Sequence, residues 1–324
     1  MPIPFLKFPY IVYSEIFQFL PYYEVVEFGT LSKRSAVLVK RYVNAKVFPP
    51  DSPILELLTP EPIIGLGNLQ RALSDDIRKH KKEVPMFATG LNITRQYKYS
   101  GNPLADWMKL VDTLLFVTGR SVSTFAISLL HWAGEFKDIV LWLHAKSRTI
   151  PCLLVYSNAH PEAHVTFIMR HLRCKRSLSI DHLVSNNRVF SLVPANLARL
   201  NLNGGVRIAQ FLKISAANIK VLSTYNRFTA QEINTFLKSW RAGQSHRRLQ
   251  SLELAINPTH EAERYFANIP HEYQDDDRVI NRPFDAPIRG GVDIKRRDGT
   301  VATLFTQMDP LGYWKLSMWI AEPE

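Results

Sequence analysis

Apolar positions along the chain change their spacing twice. In the first forty-odd residues they recur at helical intervals: Val12, Ile16, Phe19 and Leu20 fall at i, i+4, i+7 and i+8, with Ile11 and Phe17 off that stripe. Pro9 opens this helix, where its missing N–H costs nothing, and Leu20-Pro21 ends it, because the residue before a proline is pushed out of the α region. A second helix, 23–31, carries Val25, Val26, Phe28 and Leu31, and a third carries Ala36, Val37, Leu38, Tyr42 and Val43. Three short helices hold more apolar surface than they can hide, since a segment below ~40 residues is rarely self-sufficient, so something else must cover the remainder.

After Val47, five prolines between Pro49 and Pro62 punctuate what reads as a linker, and 68–82 reads as a helix with Leu69, Ala72, Leu73 and Ile77 on one face. A helix is also expected over 102–116, while 125–130 and 139–143 are apolar runs too short to assign. The spacing then changes again. Lys175-x-x-Leu178-x-Ile180, Leu197-x-x-Leu200-x-Leu202, Ile219-x-x-Leu222-x-Thr224 and Leu249-x-x-Leu252-x-Leu254 repeat one pattern, stepping by 22, 22 and 30 residues, with Ile150-x-x-Leu153-x-Val155 an earlier member. L-x-x-L-x-L at such a period marks leucine-rich repeats, one strand and one returning helix or turn per unit. The alternate residues point to the other face, where Ser179, Asp181, Asn201, Asn203, Ser223, Tyr225 and Glu253 form a candidate target-binding surface. Between the last two units, Thr229-Ala230-Gln231-Glu232 is a capping box opening a helix that buries Ile233, Phe236, Leu237 and Trp240. At the C-terminal end two alternating runs flank Asp298-Gly299 and a third follows at 313–320, which predicts a meander closing the repeats.

Phe8-Pro9, Ile11-Val12, Glu15-Ile16-Phe17, Leu20-Pro21 and Ser32-Lys33-Arg34-Ser35 together resemble an F-box, in the form found in the large nematode expansion of F-box proteins. Phe228-Thr229 through Ile233-Asn234-x-Phe236-Leu237-Lys238-x-Trp240-x-x-Gly243, then Arg248-Leu249-x-x-Leu252-x-Leu254, is similar to the F-box-associated domain of the same family, and Asp293-Ile294-Lys295-Arg296-x-Asp298-Gly299-Thr300-x-Ala302-Thr303 resembles the end of those proteins. The resemblance implies docking on a Skp-type adaptor, and through it a cullin, by Phe8, Pro9, Ile11, Val12, Ile16, Phe17, Leu20, Pro21, Val25 and Leu31. The function it implies is that of a substrate-recognition subunit of an SCF-type ubiquitin ligase, holding an unidentified target protein. The alternative is a scaffold that binds the adaptor and delivers no substrate. The expected fold is α/β: an F-box at 1–47, a linker and helix at 48–83, a leucine-rich-repeat-like parallel β/α domain at 84–290 and a β cap at 291–324.

Composition and chemistry narrow this further. Lys and Arg number 40 against 29 Asp and Glu, a net +11, but the basic residues are scattered along the sequence, so nucleic acid is not an expected partner. With Cys152 and Cys174 alone, neither a disulfide framework nor a zinc finger is available. No segment reads as a secretion signal or membrane span, which leaves the cytoplasm or nucleus as the expected location. His160-Pro161-Glu162-Ala163-His164 lacks the H-E-x-x-H order of a zinc helix, and no phosphate loop or nucleophile elbow occurs. The chain is therefore expected to be no enzyme and to need no cofactor or metal, with ubiquitin transfer left to other subunits.

Overall fold

A computed structural model describes residues 8–45, 52–88, 91–157, 162–183, 187–222, 227–257, 262–282, 285–308 and 312–321. The chain forms two compact units divided after Gly134. The boundaries expected at 47, 83 and 290 each fall inside a unit.

The first unit begins with α1 (Tyr10–Phe17), α2 (Tyr22–Gly29) and α3 (Lys33–Ala45). Strands β1 (Ile54–Leu57), β2 (Ile63–Leu66), β3 (Leu69–Ser74), β4 (Glu83–Ala88) and β5 (Leu91–Tyr99) follow, then α4 (Pro103–Thr118), β6 (Thr124–Ser128) and α5 (Leu129–Trp132). The strands lie in the order β4-β5-β3-β2-β1-β6, with the β3–β5 and β1–β6 pairs parallel. From Ser52 on, the proline-punctuated stretch is thus not a linker but two strands of a sheet; Pro49 and Pro50 lie outside the described residues. The helix expected over 68–82 is instead β3 and a single 3-10 turn, Ile77–Lys79. Gly67, at φ 57°, turns the chain between Leu66 and Leu69, which pair directly across the hairpin. Ala72, Leu73 and Ser74 are all buried, and a strand covered on both faces shows adjacent apolar residues that mimic the i, i+3, i+4 spacing of a helix.

In the second unit α6 (Phe136–Lys146), β7 (Thr149–Tyr156), α7 (Glu162–His171), β8 (Arg173–Leu183), α8 (Asn187–Phe190), β9 (Leu197–Gly204), α9 (Ile208–Phe211), β10 (Ala216–Val221), α10 (Ala230–Arg241) and β11 (Ser251–Ala255) alternate. The antiparallel strands β12 (His271–Arg282), β13 (Asp285–Lys295), β14 (Val301–Met308) and β15 (Trp314–Ile320) complete it. β7 to β11 are parallel and adjacent in chain order; β15 pairs antiparallel with β11, then β14, β13 and β12 follow. A mixed α/β fold with parallel strands and a C-terminal meander is what the pattern predicts. Asp275 and Asp277 lie exposed on the outermost strand β12, where charge discourages pairing with another chain.

The core of this unit is two apolar rows crossing the parallel strands. Leu153, Leu178, Leu200, Ile219 and Leu252 are register partners, as are Val155, Ile180, Leu202, Val221 and Leu254, and all ten are buried. Each such side chain contributes about 1.5–3 kcal/mol by burial. One unit of the repeat is therefore set three residues earlier than its leucine suggests: Ile219 and Val221, rather than Leu222, occupy the inward positions, and Thr224 lies outside the described residues. Helix α10 is as expected. Thr229 and Glu232 cap each other reciprocally, the Glu232 N–H donating to Thr229 Oγ1 (3.3 Å) and the Thr229 N–H to Glu232 Oε2 (2.9 Å), and Ile233, Phe236, Leu237 and Trp240 are buried.

His246, beyond the end of α10, sits against Phe211 (4.6 Å between ring centroids) and Phe236 (5.2 Å) with neither ring nitrogen hydrogen-bonded among the described residues. Burial pushes its imidazole down from 6.5 to about 4. Above pH 6.5 both folded and unfolded chains hold it neutral; as pH falls the unfolded chain takes up the proton first, and stability is lost until about pH 4. Between these limits urea unfolding of the native chain should lose up to about 1.4 kcal/mol per pH unit relative to His246→Leu. Equal pH slopes for the two chains would contradict the assignment.

Candidate functional site

The N-terminal helices are built as an inward and an outward surface. Pro9 and Pro21, both extended (ψ 151° and 146°), precede α1 and α2, and at the start of α3 Ser32 and Ser35 cap each other, the Ser35 N–H donating to Ser32 Oγ (3.1 Å) and the Ser32 N–H to Ser35 Oγ (2.8 Å). Phe17 packs edge-on against Phe28 (5.4 Å) and Tyr42 (5.2 Å), and Tyr13, Val25, Val26, Val39 and Val43 fill the same interior.

Helix α2 is tied to the sheet of its own unit. The Tyr23 hydroxyl donates to the Ile64 carbonyl (2.8 Å) with that of Leu69 at 3.2 Å, so burial raises its ionisation far above the usual phenol range. Glu27 accepts from Lys98 Nζ (2.7 Å) and pairs with Arg71 at 3.4 Å. Gly29 lies against α4: a Cβ there would come within 2.9 Å of Thr113 Cγ2. Part of the apolar surplus of the helices is therefore covered from within the chain.

The rest faces outward. Ile11 (68% exposed), Phe19 (81%) and Leu31 (72%) stand out, with Phe8, Pro9 and Pro21 also exposed. Ile11, Val12, Glu15, Ile16 and Phe19 line an open apolar depression of about 300 Å³. Of the residues expected to touch an adaptor, Phe8, Pro9, Ile11, Pro21 and Leu31 are exposed and Val12, Ile16 and Leu20 half-buried. Phe17 (2%) and Val25 (1%) are interior and hold the helices together instead, because they point away from the α1 outer face. Phe19 was on the predicted stripe but not in the expected set; its place just past the end of α1, before Pro21, leaves it in water.

On the second unit, the residues alternating with the buried rows form a polar face. Ser179, Asn201, Lys220, Glu253 and Ser317 are successive register partners, and Asp181 and Asn203 make a second pair on the same face. Glu253 is held between Lys220 (2.8 Å) and Lys315 (3.8 Å), and Ser251 Oγ donates to Asn218 Oδ1 (2.6 Å). Asp181 Oδ1, Asn201 Oδ1 and Ser317 Oγ are buried without a hydrogen-bond partner among the described residues. Ser223 and Tyr225 lie outside the described residues. The shifted register puts Asn218 and Lys220 on this face from β10, positions the spacing of leucines did not reveal but the Ile219-x-Val221 alternation does.

Among the described residues no group of His, Cys, Asp and Glu is arranged to hold a metal, and no helix is long and apolar enough to cross a membrane. His164 lies on α7, its ring 4.5 Å from that of Phe136; His160 is outside the described residues. Cys174 is buried, which raises its thiol pKa, and its Sγ–H points to the Ser177 carbonyl (2.9 Å). Residues 190–254, from the end of α8 to β11, match the family model described as F-box associated. No curated protein and no solved structure gives a match.

Alanine in place of an exposed helical glycine ordinarily stabilises by ~1 kcal/mol. Gly29→Ala should do the reverse and lower the unfolding midpoint, and adding Thr113→Ser, which removes the offending methyl, should restore it; a rise in midpoint for the single variant would contradict the close approach.

Proposed function

We propose that the protein is a substrate-recognition subunit of an SCF-type cullin-based ubiquitin ligase, in which α1–α3 act as an F-box docking a Skp-type adaptor. The observation that carries this reading is the apolar outer face of α1, with Ile11, Phe19 and Leu31 in water on helices whose opposite side is fully packed. A face of that kind is an interaction site. The match of residues 190–254 to an F-box-associated family supports it from the other unit. Phe8, Pro9, Ile11, Pro21 and Leu31, with Val12, Ile16, Leu20 and Phe19 beside them, are the adaptor contacts.

The polar sheet face of the second unit then holds the target protein through Ser179, Asp181, Asn201, Asn203 and Glu253, joined by Asn218 and Lys220. The row of polar register partners Ser179, Asn201, Lys220 and Glu253 across four strands favours the reading. The chain contributes no reacting group. It raises the effective concentration of a target lysine beside the transferring subunits, in the cytoplasm or the nucleus.

Co-expression with a Skp-type adaptor tests the reading. The native chain should elute as a one-to-one complex. Ile11→Asp/Phe19→Asp, both at exposed positions, should abolish the complex with the melting temperature kept, whereas Phe17→Ala should cost about 3–5 kcal/mol of stability. Failure of the native chain to bind any adaptor would remove the F-box assignment.

A further inference from the structure

Scattered in sequence, the basic residues of the second unit are gathered by its fold. Every helix of the parallel region returns the chain to the same end of the sheet, so the connections leading into β7, β8, β9, β10 and β11 (146–149, 171–177, 191–199, 212–218 and 242–251) form one rim. Not one of these segments contains Asp or Glu. They carry Arg148, Arg173, Arg176, Arg199, Arg247 and Arg248, all exposed. Hydrogen bonds show that the segments are neighbours: the Arg173 N–H donates to the Arg148 carbonyl (3.0 Å), Asn218 Nδ2 to Ala198 (3.0 Å), Gln250 N–H to Ala217 (2.7 Å) and Arg248 Nη1 to Asn196 Oδ1 (2.7 Å). Ser177 and Arg199 are register partners across β8 and β9. Beyond β11, the β13–β14 turn joins the rim, where Arg296 donates to the Arg247 carbonyl (3.2 Å). The carboxylate there, Asp298, is gripped by Arg296 at 2.8 Å.

Cations in the last turn of a helix are accounted for by the helix dipole. Arg173, Arg176, Arg199 and Arg248 are not in a helix; they lie on strands or in loops, and none has an ion-pair partner among the described residues. Like charges on neighbouring strands ~4.8 Å apart, such as Arg176 on β8 and Arg199 on β9, lie closer than a Debye length of ~10 Å at 0.1 M salt, which is unfavourable until an anion neutralises them. Five parallel strands at ~4.8 Å set the rim about 19 Å long, the span of roughly six extended residues. Guanidinium forks bind carboxylates bidentately. Exposed aromatic side chains, on which unpaired bases stack, are absent from these connections among the described residues.

We infer that this arginine rim binds an extended Asp/Glu-rich segment of a partner protein, laid across the ends of the parallel strands. The inference concerns a different surface, on a different unit, from the adaptor site, and stands whether or not the adaptor binds. Fluorescence anisotropy on the full chain at about 50 mM salt tests it, with a labelled Glu-rich peptide of about ten residues as probe, the Gln-for-Glu peptide as control and an oligo-dT of similar charge as competitor. Binding of the acidic peptide alone is expected, weakening with salt and falling at least about tenfold in Arg173→Glu/Arg176→Glu and again in Arg248→Glu. Lys81→Glu/Lys82→Glu, in the other unit, should leave it unchanged, and melting curves should show all variants folded. Absence of peptide binding, equal loss in the Lys81/Lys82 variant, or tighter binding of the oligonucleotide than of the peptide would each overturn the inference.

Discussion

The carbonyls of Ile63 and Ile64 set the terms for the whole first unit. They lie side by side on β2, and each accepts a side-chain donor from a different helix: Trp107 Nε1 of α4 reaches Ile63 (3.1 Å) and the Tyr23 hydroxyl of α2 reaches Ile64 (2.8 Å). An indole or phenol buried without a partner is costly, so these two bonds fix where α2 and α4 can sit on the sheet. With α2 placed, Glu27 meets Arg71 and Lys98, and Gly29 meets Thr113. Helix α1, which turns Tyr13 and Phe17 to the interior, is left with its outer apolar face in water. The exposed stripe is thus the residue of a packing problem solved for α2 and α3, and it is available for a partner for that reason.

Local chemistry was legible in the sequence wherever it acted within one element. The Thr229–Glu232 capping box, the buried face of α10, the Asp298-Gly299 reversal and the inward leucines of β7, β8, β9 and β11 all follow from residues a few positions apart. Long-range choices were not legible. Ile219 and Leu222 both offer an apolar residue at the right alternation, and only pairing with Leu200 on β9 decides between them. For Leu69 to Leu73, helical spacing and a doubly covered strand look alike until β2 and β5 are seen on either side. Site residues divided in the same way: the motif named the helix, but whether Phe17 or Phe19 faces water is a property of what packs on the other side.

The two units present complementary kinds of surface. The first offers water a compact apolar patch; the second offers charged and polar side chains, segregated into a polar sheet face and an arginine-bearing rim. Apolar patches favour a constant partner of matching shape, and dispersed polar groups suit discrimination among partners, because an unpaired donor or acceptor is penalised more heavily than a matched one is rewarded. The proposed roles, a constant adaptor on one unit and a selected target on the other, rest on this contrast.

The position of β15 has a consequence for how the protein is made. This strand comes last in chain order yet lies between β11 and β14 in the sheet, so neither of those edges is closed until residues 314–320 have been synthesised. During translation β11 carries an open edge with the apolar rows of five strands behind it, and β12 to β14 have nothing to join. The second unit therefore completes its sheet only once β15 has emerged rather than progressively, and the interval before β15 inserts is the period in which the nascent protein is most exposed to pairing with its neighbours.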